Sequence, residues 1–407
     1  MELPDLVPYA VPFFIVAMLA ELAWGHRERT ATYELRDATA SLAMGVGNLV
    51  VGIFTGAFIL GLHAALYEHR LLDLGYAWWV FALAFFLEDH AYYWFHRVAH
   101  ERRWIWAAHV NHHSSQHYNL STALRQPWTS VVSMTWLFWL PNTLLGVPPE
   151  ITLFFSGVSL VYQFWIHTET IDRMGAFGWI FNTPSHHRVH HGINPEYLDK
   201  NYAGALIIWD RMFGTFEAES RQPVYGTVKP LGSFNPLWAN LWYFGLLYKD
   251  SRDAQTSWER WKVWWSPPGY RPEGLEPYPV ARQLTRSEQD KYDPEVPPGL
   301  SRYVFGHFLP MSVWIFCVLW YENTASTASL VVGVAMILWT AVAWGGLFER
   351  KSWAFAVEVG RVAAIGLFVT YLFVGDAGWV GLVLATWIGA AVSVAWIASY
   401  RSVLVEA

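Results

Sequence analysis

Twelve of the sixteen histidines in this chain lie between His90 and His191, and most of them fall at helical spacings. His96 and His100 are i and i+4; His109 with His112 and His113 are i, i+3 and i+4; His187 with His190 and His191 repeat that pattern. On an α-helix each set shares one face. His167 stands alone between the second and third sets. Neutral imidazole is a good ligand for iron, copper, zinc and nickel. Eight histidines in three boxes plus His167 exceed what one four- to six-coordinate ion can use, so two ions are the economical solution. The expected metal ligands are His96, His100, His109, His112, His113, His167, His187, His190 and His191. A zinc-stabilised helical bundle without chemistry would use the same ligands. Haem is disfavoured, because it needs one ligand on each face, whereas His112-His113 and His190-His191 are adjacent pairs. The single cysteine, Cys317, rules out an intramolecular disulfide and a cysteine-built metal site.

His90, His117 and His186 lie near the boxes but break their spacing, and are read as supporting or cap residues, with His186 the one that would complete a site. His26, His63, His69 and His307 are scattered and read as structural. Metal-bound imidazoles donate their second N–H to a carboxylate or carbonyl. Asp89, Glu101, Glu169, Asp199 and Asp210 are the acidic candidates for that role.

The elements that must position these residues are apolar. Hydrophobic residues make up 54% of the 407, charged residues 15%, and there are 26 tryptophans, a type that favours the boundary between headgroups and hydrocarbon. Nine stretches are candidate membrane spans: 6–24, 40–66, 76–87, 128–147, 151–166, 305–321, 329–347, 353–374 and 379–399. The third is short, and the fourth and fifth are joined by the turn Gly146-Val147-Pro148-Pro149 as a hairpin that need not cross fully. Of 27 Lys and Arg, 25 fall on one side of this map, whereas the opposite loops 322–327 and 375–378 carry none. Basic loops are retained in the cytoplasm. The expected topology therefore has the N-terminus outside, the C-terminus cytoplasmic, and all histidine boxes on the cytoplasmic side. The acidic start MELPDL, with Glu21 interrupting the following apolar run, argues for an uncleaved first span. A net charge of -6 without a basic block excludes nucleic acid as a partner.

The expected fold is all-α: a polytopic transmembrane helical bundle with a cytoplasmic, histidine-rich di-metal cap. The division expected is 1–304 for the catalytic part with its cap, and 305–407 for a C-terminal four-helix transmembrane bundle. Trp258, Trp261, Trp264 and Trp265 recur at helical spacing beside Arg260 and Lys262, as in a helix lying in the interface plane or packing on the cap. Glu358 and Arg361, three residues apart inside an apolar stretch, read as a buried structural pair.

At Tyr93-Trp94-Phe95-His96-Arg97-Val98-Ala99-His100 and the two HxxHH boxes, the sequence resembles the fatty acid hydroxylase and sterol desaturase superfamily. Within it, residues 88–235 resemble the alkylglycerol monooxygenase family. The segments that carry this are His112-His113-Ser114-Ser115, Tyr118 through Gln126, Tyr162 through Glu169, Asn182 through His191, Asn201-Tyr202-Ala203-Gly204 and Phe213-Gly214-Thr215-Phe216-Glu217. At Gln116-His117 the chain departs from the acidic residues that family carries after its Ser-Ser pair.

The resemblance implies a membrane oxidoreductase with two Fe ions, O2 and tetrahydrobiopterin, hydroxylating the ether-linked carbon of alkylglycerols to give fatty aldehyde and glycerol. It carries the metal-ligand role onto the eight box histidines, with His167 the intermediate ligand. Asp89 and Glu101 are candidates to pair with a pterin's donor edge. Tyr118, Asn119, Arg125 and Gln126 are polar groups placed to fix the headgroup of a lipid drawn from the bilayer. The alternative within the class is a sterol or fatty acyl hydroxylase or desaturase fed by a redox protein. The C-terminal helices and the oligomeric state carry no expectation.

Overall fold

The computed structural model describes residues 3–4, 6–28 and 33–405. Glu2, Asp5 and Arg29, which entered the reading of the N-terminus and of the charge bias, lie outside them. The fold is all-helical, with two isolated bridges, Phe181 to Leu206 and Gly192 to Tyr225, and no strand among the described residues. The helices are α1 (Val7–Glu28), α2 (Leu35–Tyr67), α3 (Trp78–Glu101), α4 (Arg103–His113), α5 (Leu140–Leu145), α6 (Pro149–Trp165), α7 (Pro184–His190), α8 (Ile208–Phe213), α9 (Pro236–Asp253), α10 (Ser257–Trp265), α11 (Pro298–Trp320), α12 (Thr327–Phe348), α13 (Ala354–Phe373), α14 (Val380–Ala398) and α15 (Arg401–Val405).

Among the described residues, six stretches are long and apolar enough to cross a membrane: Tyr9–Glu28, Leu35–Tyr67, Pro298–Trp320, Thr327–Phe348, Ala354–Phe373 and Ala377–Ala398. The third, fourth and fifth expected spans differ from these. Residues 78–87 are the first part of α3, which runs on through Glu88, Asp89 and His90 to carry two box histidines near its C-terminal end. Residues 128–147 do not form a continuous helix. They fold as turns, a short 3₁₀ segment at Thr135–Trp139, and α5. Pro127 and Pro141 deny the helix backbone donors, and Met134 sits at a left-handed φ of 60°. Gly146, at φ +115°, caps α5 so closely that a Cβ there would lie 2.1 Å from the Leu72 carbonyl oxygen. α6 begins with Pro149 in its first turn, where a missing N–H costs nothing, and is 17 residues long.

The chain divides into two compact units: Met1–Asn48 with Gly52–Leu231 and Asn240–Lys291, and Leu49–Val51 with Gly232–Ala239 and Tyr292–Ala407. In the first, α3 packs on α4 and α6, and α1 packs on α6. The face of α4 opposite its histidines buries Ala107 and Val110 against Trp242, Tyr243 and Leu247 of α9 and Val263 of α10. Glu21 is a tie rather than a blemish in its span: its carboxylate accepts the Leu120 N–H at 2.8 Å and the Thr168 hydroxyl at 2.5 Å. Trp258, Trp261 and Trp265 of α10 are exposed, whereas Trp264 packs on Trp104 at 5.5 Å.

In the second unit, α12, α13 and α14 pack in sequence. Glu358 and Arg361 are buried and paired at 2.7 Å, and the Tyr303 hydroxyl donates to Glu358 at 2.5 Å. Cys317 is free and exposed.

Candidate metal centre

Four short stretches supply nine buried imidazoles. α3 ends on His96 and His100, and one extended residue, Arg102, separates it from α4. α4 therefore turns back beside α3 and presents His109, His112 and His113. α6 stops at Trp165, placing His167 two residues beyond it. α7, opened by Pro184, presents His187 and His190, with His191 at its cap.

These rings converge as two groups. His96, His100, His109, His113 and His190 place their ligand nitrogens within 4.8 Å of one another, and so do His112, His167, His187 and His191. Residues four apart stay together: 96 with 100, 109 with 113, 187 with 191. Neighbours part company, because adjacent positions on a helix point about 100° apart. His112 and His113 thus serve different groups, as do His190 and His191, so each HxxHH box spans both centres instead of presenting a single face.

Four of the nine second ring nitrogens are fixed by backbone carbonyls. The Nδ1–H groups of His96, His167 and His190 donate to the carbonyls of Tyr202 (2.7 Å), Gln163 (2.7 Å) and Lys200 (2.9 Å), and that of His112 to Arg125 (3.3 Å). A carbonyl can only accept, so each of these rings carries its proton on Nδ1 and a lone pair on Nε2. The Nε2 atoms of His112 and His167 then face each other at 3.2 Å with no proton between them. Other Nε2 pairs lie at 2.9 Å (His96 and His109, His187 and His167) and 3.1 Å (His190 and His113). Metal–nitrogen bonds of about 2.1 Å at right angles place neighbouring nitrogens about 3.0 Å apart. The donor set therefore fits one cation in each group.

Burial, reinforced by neighbouring imidazoles, holds these histidines below their ordinary pKa; for His112 and His190 the values fall to about 4 and about 3, burial being the main cause in both. They are neutral near pH 7, the form that binds metal.

Of the five acidic candidates for the second N–H, only Asp199 approaches a ring, at 3.9 Å from His100 Nδ1. Asp210 and Asp89 act one step away. Asp210 accepts the N–H groups of Tyr202 and Ala203 at 2.8 Å, and Asp89 those of Ala205 (2.6 Å) and Leu206 (3.0 Å), so two buried carboxylates grip the loop whose carbonyls aim His96 and His190. The fit is close: a Cβ on Gly204 would lie 2.9 Å from Asp89. Burial raises the pKa of Asp210 to about 6. Asp199 and Asn201 take positive φ in that loop, and Asn201 is tied to the backbone of His186 and Glu217. Glu101 pairs with Arg97 at 2.9 Å, and Glu169 meets Tyr225 and Arg286.

His186, His90 and His117 join neither group. His90 accepts from Trp94 at 3.0 Å, and the His186 ring packs on Phe216. The four residues read as headgroup contacts are engaged inside the protein. Tyr118 donates to the Ile166 carbonyl and stacks on Tyr225; Asn119 caps the 3₁₀ turn Leu120–Leu124; Gln126 donates to Ala123. Arg125 is buried in an ion pair with Asp37 at 2.5 Å.

None of those four lines the cavity of about 460 Å3 that opens beside the histidines. Its walls include His100, His113, His190 and His191, with Trp106, Asp199, Lys229 and Tyr278. The carbonyl clamps and this cavity wall were beyond sequence reading, since a backbone oxygen leaves no mark in residue type.

A fatty acid hydroxylase family profile matches residues 81–215. An alkylglycerol monooxygenase of Danio rerio is 36% identical over 374 residues, covering 90% of this chain and 82% of that protein. The Homo sapiens alkylglycerol monooxygenase is 36% identical over 378 residues, covering 88% and 81%, and that of Caenorhabditis elegans 32% over 380, covering 87% and 74%. No solved structure matches.

Proposed function

This chain belongs to the alkylglycerol monooxygenase family, and on that premise we propose that it hydroxylates the ether-linked carbon of a glyceryl ether at two iron ions. It is a membrane-embedded lipid monooxygenase, an oxidoreductase of the fatty acid hydroxylase class. One observation carries the reading of the site: nine buried imidazoles in two groups, with Nε2 atoms 2.9–3.2 Å apart and, between His112 and His167, lone pair facing lone pair. Such lone pairs repel unless a cation lies between them.

Iron bound there, with O2 and a two-electron reductant, would supply the oxidising power for hydroxylating the C–H bond beside the ether oxygen. The chain's own residues supply the rest. His96, His100, His109, His113 and His190 hold one ion, and His112, His167, His187 and His191 the other. The carbonyls of Tyr202, Lys200, Gln163 and Arg125 keep the coordinating nitrogens unprotonated. Trp106 and Val110 line part of the cavity with apolar surface. Lys229 and Asp199 on the same wall offer a donor and an acceptor, respectively, to glycerol hydroxyls. The hydroxylated ether carbon is a hemiacetal, which loses glycerol and leaves a fatty aldehyde.

We assign the reductant as tetrahydrobiopterin on the family's pattern, the histidine centre and C-terminus to the cytoplasmic side on the distribution of Lys and Arg, and the division of roles to residues 1–304 and 305–407. The test is direct. Protein purified in lipid nanodiscs should contain iron and convert a 1-O-alkylglycerol to aldehyde only with O2 and reduced pterin. Turnover of a sterol or acyl lipid with a reductase, and none of the ether lipid, would overturn it.

A further inference from the structure

Lys229 stands on the wall of the cavity that opens beside the histidines, and it is half-buried there. Its backbone is tied down, the carbonyl accepting the Thr227 hydroxyl at 2.7 Å. Its ammonium has neither a hydrogen bond nor an ion pair among the described residues.

The carboxylate nearest in the network is already spent. Asp250 is fully buried and accepts from Arg103 at 2.7 Å, from Arg271, and from the Tyr278 hydroxyl at 2.5 Å. Two guanidiniums thus share one negative charge, and Lys229 adds a third cation without a counter-charge of its own. The Tyr278 ring gathers all three: Lys229 Nζ lies 4.9 Å from its centroid, and the guanidinium carbons of Arg271 and Arg103 lie at 4.6 and 5.5 Å. Burial first, then Arg271, Lys249 and Arg103, hold the pKa of Lys229 below the ordinary lysine value, against the opposing pull of Asp250. A lysine that is desolvated, or set beside other cations, is the kind that forms imines with carbonyl compounds.

We propose that Lys229 captures the fatty aldehyde released beside the metal centre, binding it covalently through Nζ as an imine. The hemiacetal collapses in the cavity whose wall carries this amine. The Nζ lone pair bonds to the aldehyde carbon, and the carbonyl oxygen departs as water, taking both protons of the neutral amine. Amine and aldehyde give imine and water, with no electron transferred. Addition of water reverses the step and frees the aldehyde. Lys229 thereby holds a reactive product where it forms and ties its release to the entry of water.

The capture rests on the monooxygenase reading for its aldehyde, so the first arm of the test supplies the aldehyde directly. Protein in lipid nanodiscs, without reductant, is incubated with hexadecanal and cyanoborohydride, which reduces an imine to a stable secondary amine, and the adducts are located by peptide mass spectrometry. Lys229 should take up the hexadecyl group roughly tenfold faster than Lys200, Lys249, Lys262 or Lys351, as an amine of lowered pKa does. Lys291 separates the cavity from the pKa alone: burial and Arg286 lower its pKa too, but it does not line the cavity, and it should lag well behind Lys229. Lys229→Arg keeps the charge and should lose the fast label while iron content stays at the wild-type level. Equal labelling of all lysines, or of Lys291 and Lys229, overturns the proposal. In the second arm 1-O-hexadecylglycerol, O2 and reduced pterin replace the hexadecanal, and borohydride quenches the reaction. The same adduct on Lys229 is expected. Free aldehyde without the adduct overturns the capture, whereas fast labelling by added hexadecanal with no aldehyde from the ether lipid supports the lysine site and sinks the catalytic reading instead.

Discussion

The histidine core of α3, α4, α6 and α7 and the C-terminal helices α11 to α14 both bury strongly polar groups, but they complete them differently. In α13 the Arg361 guanidinium meets Glu358 at 2.7 Å, Tyr303 adds a third hydrogen bond, and every charge has its partner within the chain. In the histidine core, lone pairs face lone pairs. Buried polar groups in folded proteins are otherwise satisfied. A satisfied buried pair therefore marks scaffold, and a set of mutually unsatisfied donors marks a place for ions.

The sharpest way to break this contrast is to remove one imidazole. His112→Ala should eliminate detectable turnover and cut bound iron by about half, because His112 belongs to one centre only. The protein should remain in the membrane, since its apolar spans are untouched. Metal analysis of the purified variant decides the matter, and wild-type turnover would refute the assignment.

Removing one partner from the scaffold pair should act on stability and leave the chemistry alone. Arg361→Met strands Glu358 in an apolar interior, and breaking such a pair costs about 3–5 kcal/mol. Replacing both residues with apolar side chains of similar volume should recover most of that loss. Thermal unfolding of the two variants in nanodiscs, with iron measured on the folded fraction, tests both halves. A loss of iron in Arg361→Met would show that the C-terminal helices are more than scaffold.

Between these extremes stands the loop that aims the ligands. Asp210→Ala releases the backbone of Tyr202 and Ala203, and with it the carbonyl that fixes His96. Supporting groups of this kind are worth about 10–100-fold in metal affinity. Competition with a chelator should show that weakening in the five-histidine group alone. An unchanged affinity in both centres would mean that the loop holds its shape without the carboxylate.

The histidine boxes were legible because metal ligation needs a rare residue type at helical spacing, and the i, i+4 pairs do land together. The parting of His112 from His113 follows from helix geometry, but choosing their partners requires the fold. Hydropathy made residues 128–147 look like a span because it reads apolar content. Pro127, Pro141 and the left-handed Met134 act on the backbone, where hydropathy is blind. The ion pair of Arg125 leaves no local sign, because its partner Asp37 lies 88 residues away and no sequence pattern links them. Orienting carbonyls leave no trace in residue identity at all.

His186 gives the smallest expected effect and the finest test of where scaffold ends and ligand begins. In sequence it directly precedes His187, a member of the four-histidine group, and is the imidazole that would make a tenth donor. The structure turns its ring toward Phe216 and Gly178 instead, and His186 joins neither group. His186→Ala should therefore lose packing of a partly apolar ring, about 1 kcal/mol of stability. Iron content and turnover should stay at the wild-type level. A variant short of half its iron would make His186 a ligand and would redraw the four-histidine group, whose coordination it is the nearest unused imidazole in sequence to complete.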